Sequence, residues 1–591
     1  MVSVATPAIP TGDDGTAADR PLQVRWLGRA SYEEVWDLQK QIFDSDADYL
    51  FLVEHEPVFT MGVRTDKANL LDSIEETDAA VVRANRGGDV TFHGPGQLVA
   101  YPVLSVPGRR GGGMADTVAY VASVEQIVLD TLSELGVEAG RLLGHRGVWV
   151  DAESANPRKI AAVGVRLSRG RSMHGIALNI DVDLDWYRHI IPCGIGDKPV
   201  TSLAAEGVDI SMEAVASILA RHAATILKPD SRVDRQDVVW RQSPDDLTPF
   251  SMGAGPGEKI VPRSEKPIEV ADATPAVSPV AVELKPKPTR LEGRLHEAGV
   301  SSGLDIGSRK PSWMRVKLRT EENFLKLKST ARKLDLVTVC EEAGCPNIFD
   351  CWNEGTATFM LLGDRCTRKC GFCLIDTRKP LAVDWSEPQR VADGIRDLGI
   401  NFGVLTMVAR DDLEDGGAEL VAQTVEAVHA TAPGVGVEVL ISDLQGSRSA
   451  LETVCGSSPE IVNHNIESVA RLQRAVRPSA SYARSLALLA RARNMGMTTK
   501  SGIVVGMGET TTELESTLAD LAVVGVDIVT IGQYLRPTSN HLPIHRWVHP
   551  DEFEHLKQFG QDVLGIQHVE SAPLTRSSHH AGSVASGLND S

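Results

Sequence analysis

The first 245 residues alternate between segments with helically spaced hydrophobic positions and short apolar runs. Hydrophobic residues recur every three to four positions over 31–43 and 114–135, which predicts two amphipathic helices. Two apolar runs on either side of the turn sequence RGRS predict a hairpin over 159–181. Further apolar runs predict strands at 49–61, 98–106 and 147–151. The pattern predicts one α/β domain.

A different rhythm governs the carboxyl-terminal part of the chain. Short apolar runs recur there, and most are followed by a helical stretch such as 417–430. The runs lie at 358–363, 402–408, 436–442, 460–465, 501–508 and 527–535. Repeated strand-then-helix units predict a parallel sheet or barrel, whose chemistry lies in the loops after the strands. Cys366 comes just after the first run, where such a fold places its site.

The stretch from Ser251 to Arg290 separates these two parts. It contains seven prolines and three glycines, without an aromatic residue or a helical period. This composition is typical of an extended linker. We therefore predict an amino-terminal domain over 22–245, a linker over 246–295 and a second domain over 296–591.

Charge and hydrophobicity narrow the range of partners. The formal net charge of −19 argues against general binding to nucleic acid or an anionic membrane. No apolar stretch approaches the ~20 residues that a membrane helix needs, and residues 1–20 do not look like a secretory signal. We expect a cytoplasmic protein, in which clustered cysteines indicate metal binding or catalysis rather than disulfides.

Six of the 8 cysteines form two triplets within one short window. The first triplet has the spacing C-x4-C-x5-C and the second has C-x3-C-x2-C, and their members are Cys340, Cys345 and Cys351, and Cys366, Cys370 and Cys373. Three thiolates leave one position open on a [4Fe–4S] cluster. Zinc and plain buried thiols are the alternatives, although a structural zinc site usually has four ligands.

The spacing of the second triplet is the signature of radical S-adenosylmethionine enzymes, and the sequence around it resembles the lipoyl synthase family. The resemblance extends from about Lys310 to Ala581 and implies a partial (β/α) barrel. The matching runs are VCEEAGCPNIFDCWNEGTATFMLLGDRCTRKCGFC, TKSGIVVGMGET, TIGQYLRPTSNHLP and RSSHHA.

This resemblance implies two [4Fe–4S] clusters and S-adenosyl-L-methionine as cofactors. Cys366, Cys370 and Cys373 would hold the cluster that cleaves S-adenosylmethionine to a deoxyadenosyl radical. The first cysteine triplet and Ser578 would hold an auxiliary cluster, which donates two sulfurs to an octanoyl chain. The chain departs from the family pattern at His579, where Tyr is usual, and within 407–412 and 441–446.

The first domain contains Cys193, in a Pro-Cys-Gly sequence that suggests an exposed turn. Two other runs are RGGDVTFHGPGQ at 86–97 and RKIAAVGVRLSRGRSMHG at 158–175. Together the three pieces resemble the octanoyl-[acyl carrier protein]:protein octanoyltransferase family, from about Val24 to Trp240. This resemblance implies the mixed-sheet fold of the biotin/lipoate ligases.

In that family Cys193 would be the nucleophile and Lys159 its partner, because a nearby ammonium lowers the pKa of a thiol. Lys159 could also carry a proton between the leaving thiol and the incoming amine. The residues implied to line the acyl pocket are Arg86, Gly87, Gly88, Asp89, Val90, Thr91, Phe92, His93, Ala162, Val163, Gly164, Gly175, Ile176 and Ala177. His174 is a further candidate.

The two resemblances predict one bifunctional enzyme of lipoate synthesis. Its partners would be octanoyl-acyl carrier protein, the lipoyl domains of 2-oxoacid dehydrogenases, the glycine cleavage H protein and an electron donor. Arg166, Arg169 and Arg171 would form either a solvated face or a surface for the acidic carrier protein. Two alternatives remain: the first domain is a binding module for lipoyl domains, or the cysteine window is a zinc or electron-transfer module.

Overall fold

An eight-stranded mixed sheet and a three-stranded sheet form the amino-terminal half of the protein. The structure, a computed structural model, describes residues 20–106, 115–239, 290–315, 338, 347 and 356–578. The strands are β1 (Leu22–Ala30), β2 (Asp48–His55), β3 (Val58–Met61), β4 (Ala80–Arg83), β5 (Val90–His93), β6 (Gln97–Val103), β7 (Ala139–Leu142), β8 (His145–Val150), β9 (Arg158–Ser168), β10 (Arg171–Asn179) and β11 (Val233–Asp237). The large sheet has the order β11-β1-β2-β6-β10-β9-β8-β7 and the small one β4-β3-β5. Strand β1 is parallel to β2 and β11, and the other neighbours in the large sheet are antiparallel. The mixed sheet expected from the sequence is confirmed.

Helices pack on both faces of the large sheet. They are α1 (Tyr32–Phe43), α2 (Thr117–Glu134) and α3 (Met212–Leu227). Alternate side chains of β2 point to opposite faces, as the period of a strand requires. Phe51 therefore joins the core beneath α1, whereas Leu50 and Leu52 join the core beneath α2 and α3.

Local sequence explains where several of these elements begin and end. Ser31 and Glu34 form a capping box that starts α1. The strand predicted over 49–61 is two strands, because the chain leaves the large sheet at Pro57 and enters the small one. The predicted hairpin is β9–β10, and its turn has positive φ at Arg169 (52°) and Gly170 (74°).

Seven parallel strands in sequential order form the carboxyl-terminal half. They are β12 (Thr356–Leu361), β13 (Phe402–Met407), β14 (Gly436–Leu440), β15 (Ile461–Asn463), β16 (Thr498–Val505), β17 (Ile528–Gln533) and β18 (His568–Ser571). The accompanying helices are α4 (Arg290–Glu297), α5 (Glu387–Leu398), α6 (Ala418–Thr431), α7 (Arg448–Gly456), α8 (Gln473–Val476), α9 (Tyr482–Asn494), α10 (Thr511–Val523) and α11 (Pro550–Gln558). The predicted partial (β/α) barrel is confirmed, because a helix follows most strands before the next one is added.

The two halves are packed directly against each other. Hydrophobic residues of α1, such as Leu38 and Ile42, share one buried cluster with Leu486 and Leu489 of α9. Beside this cluster, the carboxylate of Asp520 lies in the interface. It accepts hydrogen bonds from Arg25 Nε at 2.9 Å and from the hydroxyl groups of Tyr49 at 3.0 Å and Tyr482 at 2.9 Å.

Most of the predicted linker, up to residue 289, lies outside the described residues, and its end overlaps helix α4. Among the helices that the structure describes, none is both long and apolar enough to cross a membrane.

Candidate active sites

A small cavity of about 40 Å³ lies in the amino-terminal half, bordered by β5, β6, β9 and β10. Most of the pocket residues predicted from the sequence line it: Arg86, Gly88, Asp89, Thr91, His93, Ala162, Val163, Gly164, Gly175, Ile176 and Ala177. The remaining lining residues are Tyr32, Val99, Tyr101 and His174. Of these four, only His174 was a candidate from the sequence. Nothing in the sequence around Tyr32, Val99 or Tyr101 indicates that they line a pocket.

The sequence prediction assigned the whole run 86–93 to this pocket, and part of that assignment needs correction. Side chains alternate along a strand, so Thr91 and His93 of β5 face the cavity while Val90 and Phe92 face away. Val90 and Phe92 belong to a separate hydrophobic cluster with Phe59. Gly87 is also absent from the lining residues.

Histidines around this cavity are buried and hydrogen-bonded in their neutral form. His93 Nδ1 lies 2.7 Å from Gln97 Oε1, and His55 Nε2 lies 2.9 Å from the Tyr101 hydroxyl. Burial lowers the pKa of His55 to about 4 and that of His174 to about 3. Uncharged rings next to aliphatic walls suit an uncharged ligand with an alkyl chain.

The turn that carries Cys193 is built next to this cavity. It is a short 3₁₀ helix, Pro192–Gly194, and the Ile191 N–H before it donates to the carbonyl of Asn69 at 2.8 Å. A methyl group added at Gly194 would lie 3.2 Å from the carboxylate of Asp89, which lines the cavity. The turn is thus held next to Asp89 of the cavity wall, while the Cys193 side chain lies outside the described part of the structure.

Lys159 is tied to the segment that follows this turn. Its N–H donates to the Pro199 carbonyl and its carbonyl accepts from the Thr201 N–H, both at 2.9 Å. The side chain is buried, with Nζ 5.4 Å from the centre of the Trp149 ring. A side chain at Gly147 would come within 2.8 Å of Lys159 Cε, so glycine leaves room for it. The approach of its ammonium to the Cys193 thiol remains a prediction.

The prediction that three arginines form a surface for a carrier protein is wrong for Arg171. Arg171 is buried, and it donates to Ser105 Oγ at 2.9 Å and lies 3.4 Å from the Asp48 carboxylate. A guanidinium held in this way stabilises the fold and cannot meet a partner. Arg169 is exposed at the hairpin turn, where it pairs with Asp44.

A second cavity, of about 270 Å³, lies at the carboxyl ends of the parallel strands. Such a position is usual for the site of a parallel α/β fold. Both Cys373 and Ser578 line this cavity. The other lining residues are Thr358, Phe372, Leu374, Thr406, Leu440, Asn465, Glu467, Gly502, Ile503, Val504, Thr530, Gly532, Gln533, Tyr534, Leu535, Pro537, Thr575, Arg576 and Ser577.

The second cysteine triplet lies on the loop after β12, as the sequence predicted. Backbone hydrogen bonds fix the loop: the Gly371 N–H donates to Val476 at 2.8 Å and its carbonyl accepts from Leu542 at 2.9 Å. A side chain at Gly371 would lie 2.7 Å from Leu542, so glycine is needed for this approach.

These three thiols form a donor set that fits an iron–sulfur cluster. Burial raises the pKa of all three thiols, that of Cys370 to about 12. Neighbouring thiols of the triplet raise the pKa of Cys370 and of Cys373 further. Among the described residues, no three His, Cys, Asp or Glu side chains form a set for a single metal ion. A cubane needs no such set, because each thiolate binds a different iron atom. Cys340, Cys345 and Cys351 lie outside the described residues.

Arg368, inside the cysteine loop, is held by two carboxylates. Its Nη2 atom lies 2.7 Å from Asp411 and 2.6 Å from Asp443, and its side chain is 7% exposed. Asp411 and Asp443 lie in 407–412 and 441–446, the segments where the chain departs from the family pattern. Sequence reasoning missed this anchor, because residues so far apart in sequence carry no local sign of contact.

Polar groups next to Ser578 join the wall of the second cavity. The Asn465 side-chain amide donates to Glu467 at 3.1 Å and to Ser577 at 2.8 Å. Burial raises the pKa of Glu467. Asn465 Oδ1 is buried and has no hydrogen-bond partner among the described residues, so it can accept a hydrogen bond from a ligand. A side chain at Gly502 would lie 2.6 Å from this oxygen.

Comparison with known proteins gives each half a family. Sequence profiles match for the lipoyl protein ligase A/B catalytic domain over 31–224, for the N-terminal domain of lipoyl synthase over 286–345, and for the radical SAM superfamily over 360–521. Lipoyl synthase of Symbiobacterium thermophilum is 52% identical over 278 residues, which cover 46% of this chain and 86% of that protein. Lipoyl synthase of Mycobacterium avium is 50% identical over 274 residues, which cover 46% and 89%.

Among solved structures, a bi-partite lipoate protein ligase from Thermoplasma acidophilum is 18% identical, with a TM-score of 0.31 over 36% of this chain and 87% of that one. The identity with these lipoyl synthases over most of their length assigns the carboxyl-terminal half to their family. The chain belongs to the lipoyl synthase family of radical SAM enzymes, and it carries in addition a lipoyl protein ligase A/B catalytic domain in its amino-terminal half.

Proposed function

We propose that the chain completes lipoyl synthesis on a protein in two consecutive reactions. The amino-terminal half transfers octanoyl from acyl carrier protein to a lysine of a lipoyl domain through a thioester on Cys193. The carboxyl-terminal half then inserts two sulfurs into that octanoyl chain. The acceptors are the lipoyl domains of 2-oxoacid dehydrogenases and the glycine cleavage H protein, and an external electron donor supplies the reducing equivalents.

The first reaction is supported by the position of the Cys193 turn beside the cavity that the predicted pocket residues line. Asp89 borders both the turn and the cavity, so an acyl group whose carbonyl end lies at Asp89 is near residue 193. The Cys193 thiolate attacks the carrier thioester, and the carrier thiolate leaves. The acceptor lysine then attacks the new thioester and releases Cys193. The Lys159 ammonium gives a proton to the leaving carrier thiolate, and the resulting amine takes one from the attacking lysine.

The second reaction rests on one observation: Cys373, a ligand of the proposed radical cluster, and Ser578, a ligand of the proposed auxiliary cluster, line the same cavity. When bound, the first cluster and S-adenosylmethionine supply the radical chemistry that an unactivated C–H bond requires. Asn465 would help to hold S-adenosylmethionine, because its buried Oδ1 offers a hydrogen-bond acceptor, unused among the described residues, in the cavity wall. Gly502 leaves the space for Asn465, because a side chain there would lie 2.6 Å from Asn465 Oδ1.

The first reaction is tested by intact mass of the protein after incubation with octanoyl-acyl carrier protein. We expect one octanoyl group on the wild-type protein, labile to hydroxylamine, and none on Cys193→Ala. Cys455→Ala is the matched control, because that thiol is buried in a separate core. Absence of the adduct would favour the binding-module alternative, and transfer that requires free octanoate and ATP would indicate a ligase.

The number of clusters is tested by iron analysis of three anaerobically reconstituted proteins. We expect about eight irons in the wild type and about four in each triple alanine variant of a cysteine triplet, since each cubane contains four irons. The variant of Cys340, Cys345 and Cys351 should still cleave S-adenosylmethionine, and the variant of Cys366, Cys370 and Cys373 should not. Zinc in place of iron would contradict the proposal.

A further inference from the structure

Helix α1 of the amino-terminal half reaches toward the cysteine loop of the other half. Its first residue, Tyr32, lines the acyl cavity, and its third, Glu34, faces helix α9. Glu34 Oε1 accepts a hydrogen bond from Arg484 Nε at 2.7 Å, and the Glu34 side chain is 3% exposed. A carboxylate this deeply buried requires its cationic partner, because an isolated charge is costly in a dry interface.

The charge contacts continue from Arg484 into the synthase half. Arg484 Nη1 lies 3.9 Å from Asp443 Oδ2, and Asp443 Oδ1 lies 2.6 Å from Arg368 Nη2. The Arg368 backbone N–H lies 3.4 Å from the Cys366 sulfur. Four alternating charges, Glu34–Arg484–Asp443–Arg368, therefore connect the transferase domain to the loop that carries the cluster ligands.

The geometry of Asp443 shows why the first member of the series matters. Its Oδ2 atom is buried and lacks a hydrogen-bond partner among the described residues, although the guanidinium of Arg484 is near. Glu34 binds the Nε atom of that guanidinium at 2.7 Å, while its Nη1 atom stays 3.9 Å from Asp443 Oδ2. Without the Glu34 charge, Arg484 would turn to Oδ2 and compete with Arg368 for the same carboxylate.

The backbone at this contact is also shaped for Glu34. Gly446, in the segment just after Asp443, has φ +80°, and a side chain there would lie 2.7 Å from Glu34 Oε1. The Gly446 carbonyl accepts a hydrogen bond from Arg491 at 2.8 Å, and Arg491 in turn pairs with Asp37 of α1. The segment 443–446 is thus packed against the transferase domain.

We infer that Glu34 is a positioning residue for the radical site of the other domain, acting through Arg484 and Asp443 on Arg368 and the cysteine loop. The inference rests on the proposed function, since it assumes that Cys366, Cys370 and Cys373 bind the cluster. In this arrangement the transferase domain helps to hold the cysteine loop of the synthase domain in place, in addition to supplying its substrate.

The test is a comparison of full-length Glu34→Gln with Asp37→Asn, after anaerobic reconstitution. Glutamine keeps the capping box of α1 and removes the charge. Asp37 lies one turn along the same helix and pairs across the same interface with Arg448 and Arg491. Through Arg491 it meets the Gly446 carbonyl and not the Asp443 carboxylate, so it controls for packing of the segment 443–446 outside the charge series. The readouts are iron content, the electron paramagnetic resonance spectrum of the reduced cluster and the dissociation constant of S-adenosylmethionine.

We expect Glu34→Gln to retain wild-type iron, to shift the cluster spectrum and to bind S-adenosylmethionine about 5-fold more weakly, the lower range of measured couplings between sites. Arg484→Gln should give the same change, and the double variant no further change, because the two residues act in series. Asp37→Asn should leave both readouts unchanged.

A wild-type spectrum and affinity in Glu34→Gln would overturn the inference, and so would equal changes in Glu34→Gln and Asp37→Asn, which would indicate a general loosening of the interface. A wild-type protein that binds no cluster would instead contradict the proposed function, and the inference with it. The iron measurement on the wild type separates these two failures.

Discussion

Single residues decide the shape and the charge of both cavities. In the synthase cavity, the missing side chain of Gly502 leaves the space that Asn465 occupies. In the transferase cavity, burial keeps His55 and His174 neutral. The sequence predicted that the glycine-rich run 86–97 lines a site, but it could not identify Asn465 or Tyr32, because these residues reach the cavities through the tertiary fold.

We expect Gly502→Ala to weaken S-adenosylmethionine binding, because its new methyl group would lie 2.6 Å from Asn465 Oδ1. Overpacking of this kind costs about 1–3 kcal/mol. Gly456→Ala is the control, since a methyl group there meets no atom within 4 Å. Isothermal titration with S-adenosylmethionine is the measurement, and equal affinities in the two variants would contradict this role of Gly502.

The buried histidines predict a loss of stability in acid. The pKa of His55 is about 4 in the folded protein, below its usual value, so the unfolded chain binds more protons between these two values. The contribution of neutral His55 to the free energy of unfolding is complete above pH ~6.5. It falls by about 1.4 kcal/mol per pH unit as the pH drops toward 4. In urea titrations from pH 7 to 4.5, His55→Gln should show a smaller decrease in unfolding free energy than the wild type. Parallel curves would contradict the assignment.

At the scale of elements, local patterns predicted the strands and helices better than their contacts. The hairpin β9–β10 was visible because a turn sequence separates two apolar runs. The break at Pro57 was missed, since one long apolar run conceals the passage between two sheets. The alternation that turns Val90 and Phe92 away from the cavity follows from strand geometry, but the resemblance alone assigned every residue of the run to the pocket.

The same hairpin separates two arginines that look equivalent in the sequence. Asp48 is 1% exposed and is paired with both Arg171 and Lys228, so Arg171→Met removes one partner of a buried charge. We expect a loss of about 3 kcal/mol. Arg169→Ser, at the exposed turn, should change stability by no more than about 0.5 kcal/mol. Urea unfolding of the two variants measures the difference, and similar losses would contradict the burial of Arg171.

At the scale of the whole molecule, the packing of the two halves is the feature that the sequence concealed. Proline-rich composition predicted a linker between domains, but not that α1 and α9 would share a core. Contacts such as Arg25 to Asp520 join residues from opposite ends of the chain, for which a single sequence has no signal. The interface holds both cavities in one structural unit, because α1 and α9 share a core.

Asp520→Asn should uncouple the two halves. The change leaves the buried Arg25 guanidinium with Asp234 as its remaining described carboxylate partner. Breaking a buried pair costs about 3–5 kcal/mol. In calorimetry, we expect the variant to unfold in two separated transitions where the wild type shows one. Glu515→Gln, on the same helix but paired with His555 at the surface, is the control. A single unchanged transition in Asp520→Asn would contradict the role of the interface.

The central claim is that one chain performs both reactions on the same acceptor. The most direct measurement is the intact mass of an apo lipoyl domain after anaerobic incubation with this protein, octanoyl-acyl carrier protein, S-adenosylmethionine and a reductant. The account predicts the addition of octanoyl followed by the gain of two sulfurs, and Cys193→Ala should leave the acceptor unmodified. An acceptor that stays at its starting mass with the cluster-loaded wild-type protein would contradict the account.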